Sequence, residues 1–150
     1  ESELLQEMAP NEPAFRSLMR SWFAHSSLFE MLRRLAATDS VVVLTTDHGC
    51  VMSNKATMVR GNRDTSTNLR YKFGKSLKCD LKDAVFLKDP DTYGLPSVGV
   101  GTNFIFAKED HYFVYPTRFH EYQRQYANSF QHGGISLEEM ILPVAVMQGR

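Results

Sequence analysis

Val41-Val42-Val43-Leu44-Thr45-Thr46-Asp47-His48-Gly49 is a β-branched apolar run that ends in an acid, an imidazole and a glycine. A continuous apolar run of this length, closed by turn residues, reads as a strand buried on both faces, a central strand under helices. In open α/β sheets, chemistry sits just past the carboxyl ends of such strands. Asp47 and His48 occupy that position. A carboxylate and a neutral imidazole are both good ligands for zinc or manganese. Adjacent residues on a regular strand point to opposite faces, so the two meet one ion only where the chain leaves the strand. Gly49 permits a sharp turn there. Asp-His pairs at strand ends also act as loop caps, and the tripeptide alone decides nothing.

Upstream, the sequence predicts helices. Ser2-Glu3-Leu4-Leu5-Gln6-Glu7-Met8 reads as helix with no start signal, and Pro10 stops it. The chain is therefore expected to begin inside an element, as a piece of a longer protein. Asn11 with Pro13 close behind marks a second start. Phe15, Leu18, Met19, Trp22 and Phe23 then fall on one face at helical spacing, a packing stripe. Ser27 and Glu30 suggest a capping box for a third helix running to about Ala37, with Leu28, Met31, Leu32 and Leu35 inward. His25 between these helices reads as a cap or a solvated side chain. Helix, short loop and buried strand make half of a βαβ unit, whose first half would supply a parallel neighbour.

Downstream, the pattern shortens. Residues 51–59 alternate around Asn54-Lys55 and predict a hairpin at a sheet margin. Residues 60–66 are polar and turn-rich, with Gly61, Asn62 and Asp64. Residues 68–75, Asn-Leu-Arg-Tyr-Lys-Phe-Gly-Lys, alternate basic and aromatic side chains, which suits a half-exposed strand and also a grip on a phosphodiester. Ala84-Val85-Phe86-Leu87 predicts a strand, and residues 88–96 a loop or short helical turn. Residues 103–107 and 112–115 predict a second hairpin, with His111 as a turn residue at its tip. Pro116-Thr117 opens a helix with Phe119, Tyr122 and Tyr126 on one face. His132-Gly133-Gly134 follows, then Ser136 with Glu139 as another capping box. Ile141-Leu142-Pro143-Val144-Ala145-Val146 reads as an edge strand or one with a bulge, because Pro143 cannot donate to a ladder.

Composition excludes several classes. The chain has 150 residues, 43% of them hydrophobic, with Lys+Arg and Asp+Glu equal at 17 each. A zero net charge gives no electrostatic case for duplex DNA or an anionic membrane. Two cysteines, Cys50 and Cys79, suit a reduced, cytoplasmic compartment rather than a disulfide framework. No apolar run approaches the ~20 residues of a membrane span. There is no Gly-rich phosphate loop, no Gly-x-Ser-x-Gly elbow and no Cys-x-x-Cys pair.

His132 strengthens the metal reading. Two glycines clear space beside it, and no apolar stripe makes it a core residue. Asp47, His48 and His132 together offer one acid and two imidazoles from distant parts of the chain. A single tetrahedral site needs three or four ligands and a two-metal site needs more, so either the site is incomplete or upstream residues finish it.

These residues carry a resemblance. Thr45-Thr46-Asp47-His48-Gly49, with residues 130–144 (Phe-Gln-His-Gly-Gly-Ile-Ser-Leu-Glu-Glu-Met-Ile-Leu-Pro-Val), resembles the C-terminal half of a PglZ domain, of the alkaline phosphatase superfamily. Residues 67–72 and 20–26 are similar to PorX-type response regulators of Bacteroidetes, which join a receiver domain to a PglZ effector. The resemblance implies an α/β fold: a partial alkaline-phosphatase-like sheet flanked by helices, with peripheral β-hairpins. It implies two divalent metal ions, usually zinc, with Asp47 and His48 on one and His132 on the other. It implies metal-dependent hydrolysis of phosphate esters, with nucleotide or oligonucleotide substrates in view, as the output of a two-component system. The nucleophile and the remaining ligands match no position here. They belong upstream in the family, so these residues alone are expected to be inactive. Arg70, Lys72 and Lys75 are the candidates for holding phosphate oxygens. Expected partners are the substrate, a receiver domain in the same polypeptide and a second copy in a homodimer. The alternative function is a non-catalytic module acting by protein contact in signalling or transcription control.

Overall fold

A computed structural model describes residues 2–62, 66–96 and 99–149, so Glu1 and Asp64 lie outside the described residues. The architecture is mixed α/β, with five α-helices and several small sheets among the described residues. The chain divides into two units: residues up to Asp47 together with those from Ile141 onward, and His48–Met140.

The first unit carries three helices and one strand pair. α1 spans Ser2–Met8, α2 Glu12–Ala24 and α3 Ser27–Leu35. Asn11 caps α2 as expected, its side chain accepting from the Ala14 N–H at 2.9 Å. His25 closes the same helix, its Nδ1 donating to the Ser21 carbonyl. The cap of α3 lies one residue earlier than Ser27: Ser26 Oγ accepts from the Phe29 N–H, and Glu30 instead meets Arg33 and Arg34. The faces bearing Phe15, Leu18, Trp22 and Leu32 are half-buried.

β1, Val41–Leu44, pairs antiparallel with β9, Ala145–Gln148, with Val41 opposite Gln148 and Leu44 opposite Ala145. The expectation of two buried faces is corrected; the observed neighbour is antiparallel, and the expected parallel one belonged to the preceding half of a βαβ unit. Val42 and Met147 share a small cleft with Leu32 and Leu35 of α3, so one face of the pair is covered. On the other, Val41 and Val43 are 61% and 60% exposed. A β-branched run thus forms a strand whether or not both faces are covered, because its propensity is local while burial is not. β9 starts two residues after Pro143, which stays out of the ladder as its missing N–H requires.

The second unit holds the core. β2, Val51–Ser53, pairs antiparallel with β8, Ser129–Gln131. β3, Lys55–Met58, runs parallel to β7, His111–Val114. β6, Asn103–Ala107, is the middle strand between β4, Tyr71–Gly74, and β5, Ala84–Leu87, antiparallel to both. A 3-10 turn covers Asp91–Tyr93, α4 spans Phe119–Tyr126 and α5 spans Leu137–Met140. Strands form where the alternation placed them, but their partners differ from two hairpins. Asn54-Lys55 puts lysine where a two-residue turn wants glycine. The amides of Asn54 and Lys55 bond instead to the Asp110 carbonyl, and the chain changes partner there. β6 spends both edges on β4 and β5, so neither is left for β7.

Val59, Leu77, Ala84, Ile105, Ala107 and Phe113 form the core cluster, flanked by Cys79, Phe86 and Tyr115. Burying each large side chain among them contributes about 1.5–3 kcal/mol relative to exposure. No helix of the described residues is long and apolar enough to cross a membrane.

Candidate metal centre

The β2–β8 register brings the two histidine motifs together. Val51 faces Gln131, so the residues just before β2 lie beside those just after β8. His48 precedes β2 and His132 follows β8. Their rings stack with 4.0 Å between centroids and 12° between planes, and both side chains are exposed. His48 Nδ1 donates to the Gly49 carbonyl at 2.9 Å. A bond to a carbonyl requires the proton on Nδ1.

Both loops are pinned by one residue that the sequence presented only as half of a capping box. The Glu139 backbone carbonyl accepts from Gly49 N–H at 3.0 Å, one residue past His48. The Glu139 carboxylate accepts from Gly134 N–H at 2.8 Å, two residues past His132. It also accepts from Ser136 N–H at 3.1 Å, which is the back-bond of a capping box. The reciprocal bond is missing: Ser136 Oγ is buried without a partner among the described residues.

The glycines follow from this crowding. A Cβ on Gly49 would stand 1.8 Å from the Glu138 carbonyl oxygen. A Cβ on Gly134 would stand 2.6 Å from the Glu139 carboxylate and 2.8 Å from the Arg70 guanidinium. Gly133 has φ +95°, a left-handed conformation that a side chain would strain.

Glu139 is held from behind by Arg70. Nε and Nη2 of Arg70 donate to its two carboxylate oxygens at 3.0 and 2.8 Å, and Nη1 donates to the His111 carbonyl. Both side chains are buried. Burial pushes the Glu139 carboxyl up. The bonds from Arg70, the Gly134 N–H, the Arg70 charge and the Ser136 N–H outweigh it and hold the group below the usual glutamate range. A bidentate arginine committed in this way is not available to a substrate.

Asp47 closes the first unit, exposed, with the Thr46 hydroxyl donating to its Oδ1 at 3.4 Å. Lys72 is buried on β4 with Nζ 4.7 Å from the Tyr115 ring centre. Lys75, just past β4, is exposed.

A further group of ligand-type side chains is Glu109, Asp110 and His111, whose candidate atoms lie within 4.8 Å of one another. Its members have structural tasks: Asp110 pairs with Lys55 at 2.9 Å, and His111 is hydrogen-bonded to Thr57 Oγ1 at 2.8 Å. His111 is therefore not the turn-tip residue expected but a link from β7 to β3.

Comparison with known families decides the affiliation. The PglZ model, the BREX system PglZ alkaline phosphatase-like domain, matches residues 3–147. The chain belongs to the PglZ family. The comparison with curated proteins gives no match. Alkaline phosphatase-like membership places the PglZ chain in a phosphoesterase-type superfamily whose members usually bind divalent metals. Of the two imidazoles singled out in its sequence, neither is buried and both meet in one place.

Proposed function

We propose that this chain contributes part of a two-metal centre that hydrolyses phosphate esters, with Asp47 and His48 on one ion and His132 on the second. The observation that carries the reading is the face-to-face His48–His132 pair, 4.0 Å between centroids. Imidazole lone pairs lie in the ring plane. Two nearly parallel rings hold them in separate planes, which suits two neighbouring ions better than one shared ion. Centres with two metals space them ~3.5–4 Å apart. The Nδ1 bond from His48 to Gly49 supports the same reading, since ligating histidines hold their second nitrogen on a backbone carbonyl or carboxylate.

When bound, such ions lower the pKa of a hydroxyl nucleophile and offset charge on phosphoryl oxygens. The protein's own work is to keep the imidazoles in place. Glu139 does so through the two loops, and Arg70 keeps Glu139 ionised and oriented. Lys75 is exposed and carries the charge to meet a phosphate oxygen. The family's nucleophile and remaining ligands have no match in these residues and would come from a preceding segment. We assign the ions as zinc, the substrates as nucleotide or oligonucleotide esters and the setting as the cytoplasmic output domain of a PorX-type response regulator.

The test uses the complete protein. Metal content is measured by mass spectrometry, and turnover of a chromogenic phosphodiester is followed with and without chelator. Turnover that chelator abolishes and zinc restores is expected, and His132→Ala should lose about one metal equivalent and at least about a hundredfold in rate. A metal-replete protein without turnover would favour the non-catalytic module.

A further inference from the structure

A second cleft lies within the second unit, on the side of β4 that carries Lys72. It encloses about 210 Å³ and is lined by Leu69, Phe113 and Val114, by the rings of Tyr115, Tyr122 and Tyr126, and by Thr67 and Lys72. Lys72 is 1% exposed and no carboxylate pairs with it among the described residues. Its Nζ faces the Tyr115 ring, whose hydroxyl is spent on the Ser66 carbonyl. Tyr122 and Tyr126 stack nearly parallel, 6.0 Å between centroids and 11° between planes.

A buried cation without a counter-ion is costly, and a cation–π contact offsets only part of that cost. A lysine needed merely to fill space would be better replaced by methionine. The cleft holds one positive charge, apolar walls and aromatic faces. We propose that it is a binding site for a small aromatic monocarboxylate, with the Lys72 ammonium pairing the carboxylate and the tyrosine faces taking the ring. One monoanion neutralises one ammonium. A phosphate dianion would leave a negative charge buried among apolar walls. The site is independent of the metal centre, since neither His48 nor His132 lines it.

Burial holds the Lys72 amine down at about 8, so the protonated form that pairs with a carboxylate is depleted above neutrality. Bound carboxylate should raise that value.

The test is calorimetric titration of the complete protein, with chelator present, using benzoate, benzyl alcohol and phenyl phosphate. Saturable benzoate binding near neutral pH is expected, with benzyl alcohol and phenyl phosphate each weaker by about tenfold or more. Lys72→Met should weaken benzoate at least about tenfold, and Tyr122→Ala by a smaller factor. His48→Ala should leave benzoate binding unchanged, which separates this site from the metal reading. Absence of saturable benzoate binding, or equal binding by Lys72→Met, would overturn the proposal. Tighter binding of phenyl phosphate would overturn the monocarboxylate assignment. Should Lys72→Met fail to fold, the wild-type pH profile decides: affinity must fall as pH rises through about 8 to 9.5, and a flat profile refutes the ion pair.

Discussion

The two units spend their hydrophobic and polar residues in opposite ways. In the first, Val41, Val43 and Val146 form a strand pair with an open apolar face, and Ala9 is its single fully buried apolar side chain among the described residues. In the second, Arg70, Lys72 and Glu139 are buried among Tyr112, Phe113 and Ile105. An apolar run therefore does not always mark the interior of this protein, nor a charge its surface. For Arg70 and Glu139 pairing decides, whereas Lys72 is buried against the Tyr115 ring without a carboxylate partner among the described residues. Glu139 has four hydrogen bonds to its carboxylate, whereas nothing among the described residues covers the outer face of β1.

The largest expected effect attacks that paired interior. Arg70→Met should cost about 3–5 kcal/mol by urea denaturation, because it strands a buried carboxylate. A loss below about 1 kcal/mol would mean the carboxylate finds water and the contrast between the units is overstated. The pair also sets an acid limb. Glu139 has its folded value held down, so its stabilisation is present above the ordinary glutamate pKa and is lost as pH falls through the folded value. Glu139→Gln should flatten that limb.

Next in size is Lys72. Its folded value of about 8 lies below the ordinary 10.5, so the penalty is complete at lower pH and relieved as pH rises across that window. Stability of the wild type relative to Lys72→Met should therefore rise by on the order of 2–3 kcal/mol from about pH 8 to about pH 10.5. No relative rise would place water at the amine. Gly134→Ala should cost about 2 kcal/mol, since the new Cβ meets the ion pair itself, and should weaken metal binding with it. At the small end, Val43→Thr on the open face should shift stability by less than about 0.5 kcal/mol. A larger loss would show that this face is covered in the protein as tested.

Local features were legible in the sequence and partner choice was not. The Asn11 cap, the exclusion of Pro143 from a ladder and the aromatic face of α4 each depend on a few neighbouring residues. His48 and His132 stood out because glycine follows each of them: Gly49 crowds the Glu138 backbone, Gly133 has φ +95°, and Gly134 crowds the Glu139 and Arg70 side chains. The parallel β3–β7 pair was illegible because alternation tells which residues alternate, never with whom. Arg70 and Glu139 are 69 residues apart, and neither carries a local mark of the other. Glu139 had one clue, its capping-box spacing from Ser136. That signal was read for the backbone bond it makes and not for the three further bonds its carboxylate accepts.

The three-residue ladder between β2 and β8 has a consequence for how the protein is made. In synthesis His48 emerges before His132 and before the Glu139 that anchors both loops. Until the ribosome has released residues 129–140, the early histidine has neither its stacking partner nor its anchor. A site that needs both imidazoles is thereby completed only once residues 129–140 have been translated.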